Sequence, residues 1–132
     1  MISYHDIKHI HLEISSLCNA RCPLCPRNFH GYPYNDGYIE RNLTLEDVNK
    51  IFDPNFVKQL TGIMINGNFG DCVMNTETPD IIEYFKTYSP DIKIDINTNG
   101  GARSKQFWQR LAKLDVRIFF ALDGLSDTHS IY

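Results

Sequence analysis

Three cysteines lie within one short segment near the start of the chain. Cys18, Cys22 and Cys25 have the spacing C-x3-C-x2-C, which concentrates three thiolates on one tight loop. Closed structural zinc sites use four ligands, and ferredoxin-type clusters also use four cysteines. Three thiolates around an iron–sulfur cluster leave one iron with an open position. The spacing therefore predicts a metal centre with one coordination position free for chemistry.

The segment before the cysteines predicts where this loop lies. Residues 8–14 alternate between polar and apolar side chains, which is typical of a half-buried strand. The cysteines follow directly after its carboxyl end. In parallel α/β folds that edge of the sheet is where ligands and catalytic groups collect. Motif and expected position therefore agree.

The cysteine motif resembles a known family signature. Cys18, Cys22 and Cys25 after the strand end Leu-Glu-Ile-Ser-Ser look like the signature of the radical S-adenosylmethionine (radical SAM) enzymes. The resemblance implies that the three thiolates hold a [4Fe–4S] cluster, whose fourth iron binds the amino and carboxylate groups of SAM. Reduction would then cleave SAM to methionine and a 5′-deoxyadenosyl radical. It also implies an external electron donor such as flavodoxin or ferredoxin, and a small-molecule or peptide substrate.

The rest of the chain predicts alternating strands and helices. We expect strands over 62–66, 92–97 and 116–122, which gives the order βαβαβαβ and a parallel sheet. Three helices are expected between them. Their signals are Thr44 as N-cap with a break at Asp53-Pro54, Thr78-Pro79 as N-cap and N1, and Ser104 as N-cap. Residues 28–41, rich in Gly, Pro, Asn and Tyr, predict a long loop. Three of its tyrosines could contact substrate: Tyr32, Tyr34 and Tyr38.

The resemblance also implies an overall architecture. The family has a partial (β/α)6 barrel, so residues 1–132 are expected to form one α/β domain, a radical SAM core. The chain ends after its fourth predicted strand, and two further βα units would be needed to match the family. We therefore expect a partial parallel (β/α) barrel truncated after the fourth strand.

A glycine-containing segment follows the second predicted strand. Gly67, Gly70 and Asp71 occupy the place of the family's Gly-Gly-Glu type motif, with Asn68-Phe69 between the glycines. The resemblance implies that this backbone binds the amino group of SAM. Glycine permits close approach of a ligand to the main chain, and a nearby carboxylate favours an ammonium group.

Four further residues are candidates for the SAM pocket through the resemblance alone. Asn97 and Asn99 follow the third strand and Asp123 follows the fourth, where relatives place polar side chains against SAM. Ala121 stands where relatives often have serine. Leu24 precedes the last cysteine, where relatives often carry an aromatic residue against the adenine. Leucine can pack on that ring or simply cover the cluster.

Other metal-binding side chains have simpler interpretations. Cys72 could be an additional ligand, but free cysteine is commonly a small buried hydrophobe. His9 and His11 lie in the first strand and more often face solvent than bind metal. Arg21 and Arg27 could interact with the negative charge of the cluster or with the carboxylate of SAM.

Composition limits the function classes. The chain has 132 residues, 42% of them hydrophobic, and a net charge of −3, which is ordinary for one globular domain and gives no electrostatic signature of nucleic-acid binding. No apolar run approaches the roughly 18 residues of a membrane span, and the polar N-terminus has no signal-peptide pattern. We therefore expect a cytoplasmic protein whose cysteines are not paired in disulfides.

One alternative from another class remains. The same loop, with Cys72 or a histidine as a fourth ligand, could hold zinc or a closed iron–sulfur cluster in a non-catalytic module. The strand before the cysteines and the glycine-containing loop after the next strand favour the enzyme, because small zinc modules rarely have such a scaffold.

Overall fold

The structure, a computed structural model, describes residues 3–29, 32–33 and 39–128. Short 3-10 turns lie at Tyr4–Asp6 and Cys72–Met74. The strands and helices, in chain order, are β1 (His9–Leu12), β2 (Asn28–Phe29), β3 (Tyr32–Pro33), α1 (Leu45–Ile51), α2 (Pro54–Gln59), β4 (Gly62–Ile65), α3 (Thr78–Tyr88), β5 (Lys93–Thr98), α4 (Lys105–Leu111) and β6 (Arg117–Phe120).

The main element is a four-stranded sheet in the order β1-β4-β5-β6. All three pairings are parallel. The sheet is open rather than closed, so the α/β class and the partial parallel barrel predicted from the sequence are confirmed. Because the strands run in one direction, the loops that follow them leave from the same edge of the sheet.

The two faces of the sheet differ in character. Leu12 and its register partners Ile65 and Ile96 belong to the buried core, together with Ile81 and Phe85 of α3. On the opposite face His9 and His11 are exposed, as the period of two predicted. Burial of the aliphatic face against the helices fixes the register of the strands, since a slip of one residue would expose it.

Strand β1 is shorter than the predicted segment 8–14. After Leu12 the backbone forms hydrogen bonds with residues 41–43 instead of with β4. The amide of Leu43 donates to the carbonyl of Ile14 at 2.9 Å, and the amide of Ser16 donates to the carbonyl of Arg41 at 2.9 Å. The residues that lead into the cysteines are therefore held by the end of the long loop rather than by the sheet.

The capping signals are partly confirmed. Thr44 forms a capping box with Asp47 at the start of α1, and the Ser104 hydroxyl accepts from the amide of Phe107 at 3.4 Å. The prediction for Thr78 was wrong by one residue. Glu77 is the N-cap of α3, while the Thr78 hydroxyl donates to the carbonyls of Cys72 and Asn75.

Helix α2 was not predicted. Asp53-Pro54 does end the first helical segment, but it also begins another one, because the Asp53 carboxylate accepts from the amides of Asn55 and Phe56. Proline at N1 suits such a start.

The predicted long loop 28–41 contains the two-residue strands β2 and β3, which pair antiparallel. Tyr34 and Tyr38 lie outside the described residues. Within the described ranges no helix is both long and apolar enough to cross a membrane.

Candidate functional site

Loops after three of the four parallel strands surround an open cleft at the carboxyl edge of the sheet. The cleft has a volume of about 240 Å³, slightly below the roughly 300–1,000 Å³ of typical small-molecule sites. The cysteine loop after β1 forms one wall, and the loops after β5 and β6 form the others. Its lining residues are Asn19, Ala20, Cys22, Asn99, Gly101, Ala121 and Asp123.

The cysteine loop is held by its own backbone and by one arginine. The amide of Cys25 donates to the carbonyl of Cys22 at 3.0 Å, which closes a tight turn. Arg27 donates to the carbonyl of Cys18 at 3.2 Å and to that of Ala20 at 3.5 Å, and it forms an ion pair with Glu40. Arg27 therefore stabilises the loop by joining its carbonyls to Glu40.

Cys18, Cys22 and Cys25 are all free and partly buried. Burial raises the pKa of the Cys18 thiol, and the nearby charge of Asp71 adds to that rise. Burial is also the main cause of the raised pKa of Cys22, and electrostatic interactions with Cys25 and Asp123 raise this pKa further. The metal-free loop therefore favours neutral thiols at Cys18 and Cys22, and metal binding must displace their protons.

Asp71 connects the loop after β4 to the end of β5. Its side chain is 5% exposed. One carboxylate oxygen accepts from the Thr98 hydroxyl at 2.7 Å and from the amide of Val73 at 3.1 Å. The other accepts from the amide of Asn99 at 2.8 Å. Both oxygens are thus occupied by protein donors, and the carboxylate fixes where Asn99 lies.

Gly67 and Gly70 are required by the chain's own packing. A Cβ atom on Gly70 would lie 2.1 Å from the carbonyl oxygen of Ser15, and one on Gly67 would lie 2.2 Å from that of Gly70. Both contacts are with backbone, which cannot move aside cheaply. Their proposed contact with SAM stays a prediction, but the need for glycine has a cause inside the protein.

The structure divides the predicted site residues into two groups. Cys22, Asn99 and Asp123 line the cleft. The remaining predicted cofactor residues are not among its lining: Leu24, Gly67, Gly70, Asp71 and Asn97. Leu24 is 85% exposed, and its contact with an adenine or a cluster stays a prediction.

Sequence reasoning missed three lining residues, Asn19, Ala20 and Gly101. Asn19 and Ala20 lie between the first two cysteines, and that position was the available signal for them. Gly101 lies beside the cleft because the chain turns after β5. In this turn the amide of Gly101 donates to the Asn99 side-chain oxygen at 2.8 Å.

Cys72 is buried as expected for a small hydrophobe, with 2% of its surface exposed. Its thiol donates to the carbonyl of Asn97 at 3.7 Å, and burial raises its pKa to about 12. Across residues 3–29, 32–33 and 39–128, no three His, Cys, Asp or Glu side chains form a group that could hold a single metal ion.

The donor set of the cysteine loop nevertheless fits a cluster. A cubane binds each thiolate through a different iron atom, so its ligands need not converge on one point. Three free, half-buried thiols supply such ligands. The sulfur of Cys18 already accepts from the Ala20 amide at 3.4 Å and from the Asn99 side chain at 3.6 Å. Donors of this kind are common around the thiolates of iron–sulfur sites.

Sequence comparisons give no relative, whereas the fold has known counterparts. No protein-family model matches the chain, and no curated protein sequence matches it. The structure is similar to BtrN in complex with AdoMet and 2-DOIA, with a TM-score of 0.68, 16% identity and 86% of this chain covered. It is also similar to selenomethionine BtrN in an open conformation, with a TM-score of 0.68, 17% identity and 92% covered.

The chain spans 44% and 52% of the length of these two BtrN chains. At such low identity the likeness concerns the fold alone. The open sheet of four parallel strands therefore has the architecture of a partial barrel of the radical SAM type.

Proposed function

We propose that this chain is a radical SAM enzyme, or the part of one that holds its cluster and SAM. One observation carries the proposal: three free thiols of a C-x3-C-x2-C loop lie at the carboxyl edge of a parallel sheet, and one of them, Cys22, lines an open cleft there. BtrN, which shares the fold, has been solved in complex with AdoMet, that is SAM, and this supports the assignment.

Cys18, Cys22 and Cys25 would hold a [4Fe–4S] cluster. When bound, such a cluster supplies one electron to the sulfonium of SAM, which separates into methionine and a 5′-deoxyadenosyl radical. The protein's own part is to hold the thiolates and orient SAM. Arg27 donates to the carbonyls of Cys18 and Ala20, and so stabilises the loop that carries the thiols.

The cleft offers polar groups for SAM on two sides. The Asp123 carboxylate lines the same cleft as Cys22 and contributes to the raised pKa of that thiol, and it could accept from an ammonium or a ribose hydroxyl. Asn19 and Asn99 present side-chain amides on the same cleft. Five more residues are proposed to support the SAM site or to contact SAM from outside the cleft lining: Gly67 and Gly70 through their backbone, and Asp71, Asn97 and Leu24 through their side chains.

The remaining parts of the proposal concern partners. An external one-electron donor such as flavodoxin or ferredoxin would reduce the cluster, and the substrate would be a small molecule or a peptide. We place the protein in the cytoplasm, where thiols stay reduced, and the four free cysteines are compatible with this.

The test is anaerobic reconstitution with iron and sulfide, followed by electron paramagnetic resonance of the dithionite-reduced protein with and without SAM. We expect about four irons per chain and a signal that changes when SAM is added, because SAM would bind the open iron. A stable cluster that ignores SAM would contradict the enzyme assignment. Zinc retained in place of a cluster would support the metal-binding module instead.

The chain contains its own control for loss of a cysteine. Cys22→Ala should abolish cluster assembly, whereas Cys72→Ala should retain it, because Cys72 is buried and donates to the carbonyl of Asn97. A full iron complement in Cys22→Ala would refute the ligand assignment. Loss of iron in Cys72→Ala, with the fold intact by circular dichroism, would point to Cys72 as a ligand.

A further inference from the structure

One side chain reaches the cysteine loop from a distant part of the chain. The Asn99 side-chain amide donates to the sulfur of Cys18 at 3.6 Å, although 81 residues separate them in sequence. It also donates to the side-chain oxygen of Asn19 at 3.1 Å. Asn99 therefore joins the end of β5 to the metal-binding loop through a donor aimed at a thiol sulfur.

The orientation of this amide is determined by its surroundings. The Asn99 side-chain oxygen accepts from the amide of Gly101 at 2.8 Å. A backbone N–H can only donate, so the oxygen must face Gly101 and the NH2 group must face Cys18 and Asn19. The alternative orientation would place two donors against each other.

The backbone of Asn99 is held equally firmly. Its amide donates to the buried carboxylate of Asp71 at 2.8 Å, and that carboxylate also accepts from the Thr98 hydroxyl at 2.7 Å. Asp71 is thus a positioning residue that keeps Asn99 within reach of Cys18. The arrangement resembles the outer groups that orient metal ligands in other proteins.

We propose that Asn99 raises the reduction potential of the cluster by donating a hydrogen bond to the sulfur of Cys18. This inference rests on the proposed function. Reduction adds negative charge to the cluster and its thiolates, and an N–H donor stabilises the more negative state. Asp71 and Asp123 act in the opposite direction, since their charges oppose negative charge on Cys18 and Cys22.

The Asn99→Asp variant separates this electrostatic role from a structural one. Its side chain has nearly the same shape and retains an oxygen for the amide of Gly101, but it has no N–H to offer Cys18. Asn99→Ala removes the same donor without adding charge. Asn49→Ala, at an exposed position on α1, is the matched control.

The measurement is the midpoint potential of the reconstituted cluster without SAM, from a redox titration followed by electron paramagnetic resonance. We expect Asn99→Ala to lower the equilibrium constant for reduction about tenfold, which is about 59 mV for one electron. Asn99→Asp should lower it further because of its charge, and Asn49→Ala should leave it unchanged.

The other outcomes separate this inference from the function on which it rests. Clusters with equal potentials in all four proteins would overturn the role of Asn99 and leave the proposed function intact. Assembly in the wild type but in neither Asn99 variant would also overturn it, because Asn99 would then be needed for assembly rather than for the potential. A wild-type protein that forms no cluster would overturn both proposals.

Discussion

Replacing Asp71 with alanine tests whether this carboxylate joins the two loops beside the cleft. The variant loses the acceptor for the Thr98 hydroxyl and for the amides of Val73 and Asn99, at distances of 2.7, 3.1 and 2.8 Å. Each hydrogen bond to a charged group contributes about 1.5–3 kcal/mol, and each buried donor left unsatisfied costs about 1–3 kcal/mol.

These contributions are not additive. Asn99 is only partly buried, so water can reach its amide. Removing a buried carboxylate also relieves its desolvation cost. We therefore expect Asp71→Ala to lower the free energy of unfolding by about 3–5 kcal/mol, a large part of the total stability of a small domain. Asp71→Asn keeps the shape but turns an NH2 group toward one of the donors, and we expect a loss of about 1–3 kcal/mol.

The assay is urea unfolding of the metal-free protein at neutral pH, followed by circular dichroism and Trp108 fluorescence. Asp91→Ala, at an exposed turn, is the matched control and should change stability by less than about 0.5 kcal/mol. Faster hydrogen exchange at the Asn99 amide should accompany the loss in Asp71→Ala. If Asp71→Ala is as stable as Asp91→Ala, the carboxylate does not hold these loops together and our reasoning is refuted.

Two further predictions concern stability. Gly70→Ala should cost about 3 kcal/mol, because the new Cβ would meet the Ser15 carbonyl oxygen, a backbone atom, at 2.1 Å. Gly101→Ala should cost less than half as much, because its Cβ meets only the ends of side chains, Asn19 at 2.8 Å and Asn99 at 2.9 Å. Similar urea midpoints for the two variants would contradict this. The folded-state pKa of Cys72, about 12, lies above the ordinary 9.0, so its contribution to stability is fully present below pH 9 and is lost as pH rises toward 12. The free energy of unfolding should therefore fall with pH more steeply in the wild type than in Cys72→Ala, by about 1.4 kcal/mol per pH unit. Equal slopes of unfolding free energy against pH from pH 9 to 11 would show that the thiol is not shielded from water.

Local signals in the sequence were sufficient for most of the elements that position the site. The capping pattern at Thr44 and the apolar stripe of α3 depend on residues within a few positions of one another, so they are visible without a structure. Helix α2 was missed because Asp53-Pro54 was interpreted as a stop, although the same pair is also a helix start. The early end of β1 was missed because its cause, pairing with residues 41–43, is remote in sequence.

The sequence by itself determined the chemistry available at the site: three thiols of fixed spacing after a strand, in a chain of alternating strands and helices. Only the tertiary structure decided which groups meet those thiols. The parallel register brings Asn99 to Cys18 and places Asp123 on the same cleft as Cys22, and Leu24 is exposed. Spacing on a loop is a local property of the chain, whereas these contacts depend on how four strands align across the sheet and on the aliphatic face that fixes their alignment.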